Sequence, residues 1–98
     1  MEDNTVKMLK ALADQTRFNI LETLLVKNYC VSALAKELSL SESAVSQHLK
    51  ILRKADLVIG EKRGYYTHYL VKRENLEKLA ENINKLAQKE CGECKDCC

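Results

Sequence analysis

Leu40-Ser41-Glu42-Ser43-Ala44-Val45-Ser46-Gln47-His48-Leu49-Lys50-Ile51-Leu52-Arg53-Lys54 reads as a helix with two unlike faces. Val45, Leu49 and Leu52 recur at three- and four-residue spacing, which gathers them into one buried stripe. The opposite surface shows Ser43, Ser46 and Gln47 near the start and Lys50, Arg53 and Lys54 toward the end. Ser41 is a good N-cap, Glu42 suits the positive end of the helix dipole, and Leu40 and Val45 occupy the two positions of a hydrophobic staple. Only Ser39-Leu40-Ser41 separates this helix from a shorter one, which Ser32 is placed to cap and whose Leu34, Ala35 and Leu38 turn inward. Two short helices on a three-residue turn, the second amphipathic and basic, make a helix-turn-helix.

Before this pair, Val6, Leu9, Leu12 and Ala13 predict a short amphipathic first helix. Asp14 can cap a second, whose stripe is Phe18, Leu21, Leu24 and Leu25, and Asn28-Tyr29-Cys30 breaks that pattern. On the other side, Leu57-Val58-Ile59 ends the helical spacing with β-branched residues. Glu61-Lys62-Arg63-Gly64-Tyr65 and Tyr66-Thr67-His68-Tyr69-Leu70-Val71 then read as a hairpin with a basic tip. A final helix is expected from about Glu74 to Lys89, with Leu76, Leu79, Ala80, Ile83, Leu86 and Ala87 as its stripe. The predicted order is α-α-α-α-β-β-α: a mainly α (α+β) winged helix-turn-helix over residues 1–90, followed by a cysteine-rich tail over 91–98.

Ninety-eight residues suffice for one small domain. There is no proline and there are three glycines, so helix caps and turn residues must punctuate the chain. No fully apolar stretch exceeds three residues, which argues against a membrane span or secretory signal and for a cytoplasmic protein with reduced thiols. Residues 48–73 hold seven Lys/Arg against Asp56 and Glu61, a local +5 within a total of +2, so the remainder carries −3. Such an asymmetry fits a polyanionic partner met by one face, or else a solvated basic surface. No paired carboxylates, Cys–His pair or phosphate loop suggests an enzyme, and nothing points to an organic cofactor.

Leu9-Lys10-Ala11-Leu12-Ala13-Asp14-Gln15-Thr16-Arg17 together with Leu40 to Val58 resembles the ArsR/SmtB family of metal- and metalloid-responsive repressors. The likeness runs from about Val6 to Leu86, and its most specific part is Ser43-Ala44-Val45-Ser46-Gln47-His48-Leu49-Lys50. It implies a homodimer paired through the first and last helices, with the fourth helix in the major groove of operator DNA. The alternative for the last helix is a stripe spent wholly on its own core.

For that role Gln47 and Ser46 are the expected base contacts, and Ser43 with the helix start the backbone contact. Lys50, Arg53 and Lys54 should lie near phosphates, and Lys62 and Arg63 of the wing should reach the adjacent backbone or minor groove. His48 either touches DNA or holds the helix-turn-helix together through a ring N–H. Of the tyrosines only Tyr66 (or its neighbour Tyr65) is assigned to DNA, the others to hairpin packing. A symmetric pair of domains would read a palindromic double-stranded operator with half-sites about 34–36 Å apart.

Four of the five cysteines fall in Cys91-Gly92-Glu93-Cys94-Lys95-Asp96-Cys97-Cys98. In the family, a Cys-Val-Cys box at the start of the third helix is one inducer site; here it reads Cys30-Val31-Ser32, one thiol short. Zinc-binding carboxylates and histidines along the last helix are another, and no histidine occurs from Glu74 to Lys89. Cys91, Cys94, Cys97 and Cys98 are therefore the expected ligands. Cys30 is either an additional sulfur or a small buried residue. Thiolates select thiophilic ions such as As(III), Cd(II), Pb(II), Cu(I) or Zn(II). A redox switch through the same thiols is the nearest alternative. An iron–sulfur or metal-buffering interaction module is further off, because cluster spacing wants three residues before the fourth cysteine.

Overall fold

A computed structural model describes residues 3–95. The elements in chain order are α1 (Asp3–Leu12), α2 (Gln15–Val26), β1 (Tyr29–Cys30), α3 (Val31–Leu38), α4 (Glu42–Lys54), β2 (Val58–Arg63), β3 (Tyr66–Val71) and α5 (Arg73–Ala87). The expected winged helix-turn-helix is present, with one strand more than the spacing predicted. β1 pairs antiparallel with β3 through Tyr29↔Tyr69 and Cys30↔His68, and β3 lies between β1 and β2. Two residues are too short to show alternation, so this strand exists only because the edge of β3 is there to pair with it.

The helix starts follow local chemistry. Asp14 accepts the Arg17 N–H at 3.0 Å and opens α2, and the Ser41 hydroxyl accepts the Ala44 N–H at 3.1 Å and opens α4. Both satisfy donors that a helix start leaves over. The expectation for α3 needs correction. Cys30, not Ser32, occupies the cap position, without a side-chain bond, because pairing with His68 holds Cys30 extended and the helix begins at once. The turn into α4 is made by Ser39 at φ 55°, a left-handed conformation that closes α3 with its N–H on Ala35 and Lys36 carbonyls.

Ile20, Leu34, Val45, Leu52 and Leu57 are fully buried, so α2, α3, α4 and the entry to the wing share one core. In α2 the predicted Phe18 is exposed and Ile20 takes its place, a rotation of the inward face. In α1 the buried residues are Thr5, Met8 and Ala11. Thr5 is polar yet enclosed because its Oγ1 accepts from Asn82 Nδ2 at 2.8 Å, tying α1 to α5. Val6, Leu9, Ile83 and Leu86 are instead 39–49% exposed, and in α5 only Leu79 is buried. Much of the apolar stripe on α1 and α5 thus has no partner within the described chain.

β2 and β3 pair from Val58↔Val71 at the base to Arg63↔Tyr66 at the tip. Gly64 takes φ +65° in the two-residue turn, a conformation costly for residues with a Cβ. Lys72 N–H bonds to the Leu57 carbonyl at 2.8 Å and Asn75 Nδ2 to the Asp56 carbonyl at 2.7 Å, clamping the wing's base to the start of α5. Among the described residues no helix is long and apolar enough to cross a membrane.

Candidate nucleic-acid interface

The buried stripe Val45-Leu49-Leu52 fixes which way α4 faces. Ser43, Ser46, Gln47, Lys50, Arg53 and Lys54 are all exposed on its outer side, as their spacing required. The short hydroxyls and amide stand in the first turns, where side chains can approach base edges, and the cations further along, where phosphates would lie.

His48 is half-buried on the flank of α4. Its Nδ1 lies 3.4 Å from Arg17 Nη1, and a guanidinium only donates, so Nδ1 is the acceptor and the ring proton belongs on Nε2. Arg17 is itself anchored: Nε donates to the Ala11 carbonyl at 2.6 Å, and Nη1 is 3.9 Å from Asp14. The Arg17 N–H bond holds the Asp14 carboxyl below its ordinary value, opposed by burial and helped by the nearby Arg17 charge. Arg17 was not among the expected site residues. Its trace in the sequence is the Asp14-to-Arg17 spacing, which puts both on one helical turn.

The wing brings Lys62, Arg63, Tyr65 and Tyr66 to one exposed end of the sheet. Arg63 Nε donates to Glu61 Oε1 at 3.2 Å. Both groups are exposed, so this pair is weak and a phosphate can replace the carboxylate. Tyr65 projects almost entirely into solvent from the turn, while Tyr66, more than half exposed, is paired with Arg63.

A sequence profile described as "Bacterial regulatory protein, arsR family" matches residues 14–59, from the cap of α2 into β2. The chain is 36% identical over 91 residues to the arsenical resistance operon repressor of Bacillus subtilis, covering 91% of this chain and 85% of that protein. This chain belongs to the ArsR family. It is also 36% identical over 89 residues to the transcriptional activator HlyU of Vibrio cholerae, covering 88% of this chain and 82% of HlyU. Among solved structures, it is similar to the homodimeric winged helix-turn-helix DNA-binding domain of a possible ArsR-family regulator from Mycobacterium bovis. That likeness has a TM-score of 0.73 and 26% identity, over 87% of this chain and 79% of that one. The ArsR-family chain described here is accordingly a transcriptional regulator of the winged helix type.

The thiols of this ArsR-family domain lie in two places. Cys30 is half-buried where α3 starts, its Sγ 4.0 Å from Ser32 Oγ. It lines a hollow of about 280 Å³ with Val31, Glu42, Tyr65, Tyr66, Thr67 and Tyr69, between α4 and the wing. Cys91 and Cys94 are exposed beyond the end of α5, and Cys97 and Cys98 lie outside the described residues. Among the described residues no three His, Cys, Asp or Glu side chains converge in a metal-binding geometry. Cys30, Cys91 and Cys94 all offer thiol sulfur, a donor that suits soft ions.

Proposed function

We propose that this chain is a cytoplasmic repressor that grips a palindromic operator as a homodimer and lets go when a thiophilic ion binds its C-terminal cysteines. The observation that carries the DNA-binding part is the outer face of α4: Ser43, Ser46, Gln47, Lys50, Arg53 and Lys54 are all exposed there, opposite the buried stripe Val45-Leu49-Leu52. Gln47 and Ser46 read bases, Ser43 and the α4 start take a backbone phosphate, and Lys50, Arg53 and Lys54 neutralise others. His48 presents Nε2–H toward the duplex while Nδ1 is held by Arg17. Lys62, Arg63 and Tyr66 carry the wing's contact. The exposed apolar residues of α1 and α5 supply the dimer surface, in keeping with the homodimeric relative.

Cys91, Cys94, Cys97 and Cys98 would hold the inducer, three sulfurs for pyramidal As(III) or four for a tetrahedral ion such as Cd(II), Pb(II) or Zn(II), with Cys30 a further donor if the tail folds back. The arsenical-resistance relative supports an inducer of this class. An ion that prefers the DNA-free form weakens operator binding by the same factor that DNA weakens ion binding, typically about 5- to 150-fold. Because these residues follow α5 directly, capturing them shifts the helix that forms the dimer surface and with it the half-site separation. Fluorescence anisotropy on an operator duplex, with arsenite and then Cd(II) added to reduced protein, tests this. Replacing all four tail cysteines by serine should abolish release while leaving DNA binding intact; a variant that still releases normally refutes the sensor assignment.

One observation favours a redox alternative of the same fold. Cys91 and Cys94, two residues apart in the tail, are both exposed and so open to oxidant. DNA release by peroxide without metal, lost when the four tail cysteines are replaced by serine, would establish it.

A further inference from the structure

We propose that the cleft between α1 and α4 binds a small organic anion, a carboxylate carried on a short hydrocarbon body. The cleft has a volume of about 330 Å³, within the range of ligand pockets. Its floor is apolar, made by Ala11 of α1, Ile51 of α4 and Ala55, the C-cap of α4. Ile51 is 42% exposed although it stands on the helix that supplies much of the core. Four cations rim this floor: Lys7 and Lys10 from α1, Arg17 from α2 and Lys54 from α4, with no carboxylate among the lining residues.

Those two properties together select the ligand. Arg17 is partly offset by Asp14, but Lys7, Lys10 and Lys54 around the same hollow repel each other, and an anion placed among them relieves that repulsion. An inorganic anion would use the rim but leave the floor wet. A hydrocarbon body with one carboxylate covers the floor and satisfies the rim, so charge and apolar area are both matched. The cleft lies on the flank of α1 that carries Lys7 and Ala11, whereas the exposed Val6 and Leu9 do not line it. Arg17 also gives the site a readout, because its Nη1 contacts His48 on α4. An anion that engages the guanidinium changes the environment of the His48 ring.

The inference is independent of the DNA-binding reading, since anion binding is measured without DNA. Octanoate is the probe, titrated into the full reduced chain and followed by backbone ¹H–¹⁵N shifts, with octanol and octylamine as controls of equal hydrocarbon length. Saturable shifts centred on Ala11, Ile51 and Ala55 with octanoate, absent or much weaker with both controls, are expected. The His48 ring ¹⁵N signals should move in the same titration. Lys10→Ala and Lys54→Ala, both at exposed positions, should each weaken binding by about 2- to 5-fold, the size of an exposed ion pair. Lys10→Arg should retain it. Equal binding of octanol or octylamine, equal binding of inorganic phosphate, or shifts centred elsewhere would overturn the proposal.

Discussion

Arg17 Nη1 and His48 Nδ1 stand 3.4 Å apart, joining the first turn of α2 to the middle of α4. Through the 2.6 Å bond from Arg17 Nε to the Ala11 carbonyl, the same side chain also holds the end of α1. One guanidinium therefore connects the helix carrying part of the exposed apolar surface with the helix carrying the candidate interface residues. Replacing Arg17 by Ala should cost about 1–3 kcal/mol of stability, because the Ala11 carbonyl loses its donor. Arg17→Lys keeps the charge but not the fork and should leave His48 unheld. Ring ¹⁵N spectra check both points: the native protein should show the Nε2–H tautomer of neutral His48, and the variants a tautomer mixture.

Acid should weaken the cap of α2. The Asp14 carboxyl sits below its ordinary value mainly because it accepts the Arg17 N–H. A depressed carboxyl stabilises the fold fully above the ordinary carboxylate range and loses that contribution as pH falls through its lowered value. Urea midpoints of the native protein and Asp14→Asn should therefore differ at pH 7 and converge as pH falls below the ordinary carboxylate range.

Two serines flanking one turn should respond in opposite directions. Ser41→Ala removes the hydroxyl that accepts the Ala44 N–H and should cost about 1 kcal/mol. Ser39→Gly relieves the left-handed backbone at φ 55° and should gain up to about 1 kcal/mol. Thermal melts at one fixed protein concentration, each kilocalorie moving Tm by about 4–8 °C, distinguish them.

Base and phosphate contacts should separate by their salt behaviour. Gln47→Ala should lose about 1–3 kcal/mol of discrimination at one operator position while leaving non-specific binding nearly unchanged. Lys50→Ala should weaken all sequences alike and flatten the plot of log K against log salt by about 0.9. Anisotropy titrations on matched and scrambled duplexes at several salt concentrations give both quantities.

Ile83→Glu and Leu86→Glu place carboxylates on the exposed stripe of α5, where neither residue is needed for the monomer core. Sedimentation should show monomers with an unaltered helical far-UV spectrum, and operator affinity should fall by at least about 10³-fold toward the non-specific level. A dimeric Ile83→Glu protein would move the interface elsewhere.

Much of the fold could be read from local chemistry alone. The stripe Val45-Leu49-Leu52, the caps Asp14 and Ser41, and Gly64 in the wing turn each act within a few residues, so periodicity and capping rules found them. Three features escaped that reading because they depend on distant chain. β1 is defined by Tyr69 and His68, some forty residues away, and the same pairing moved the start of α3 ahead of Ser32. The inward face of α2 turned from Phe18 to Ile20 because packing against the other helices, rather than spacing, decides which side is enclosed.

The candidate interface divides in the same way. That Ser43, Ser46, Gln47, Lys50, Arg53 and Lys54 share an outer face follows from helical geometry and the identity of the apolar residues opposite them, and the sequence alone determined it. The tertiary structure decided what no spacing rule encodes: that Arg17 reaches His48, that α1 and α4 enclose an apolar floor within a ring of cations, and that Leu9 and Leu86 face outward. Each of these depends on how helices distant in the chain cross, and crossing geometry is set by the packing of whole surfaces, not by any short run of residues.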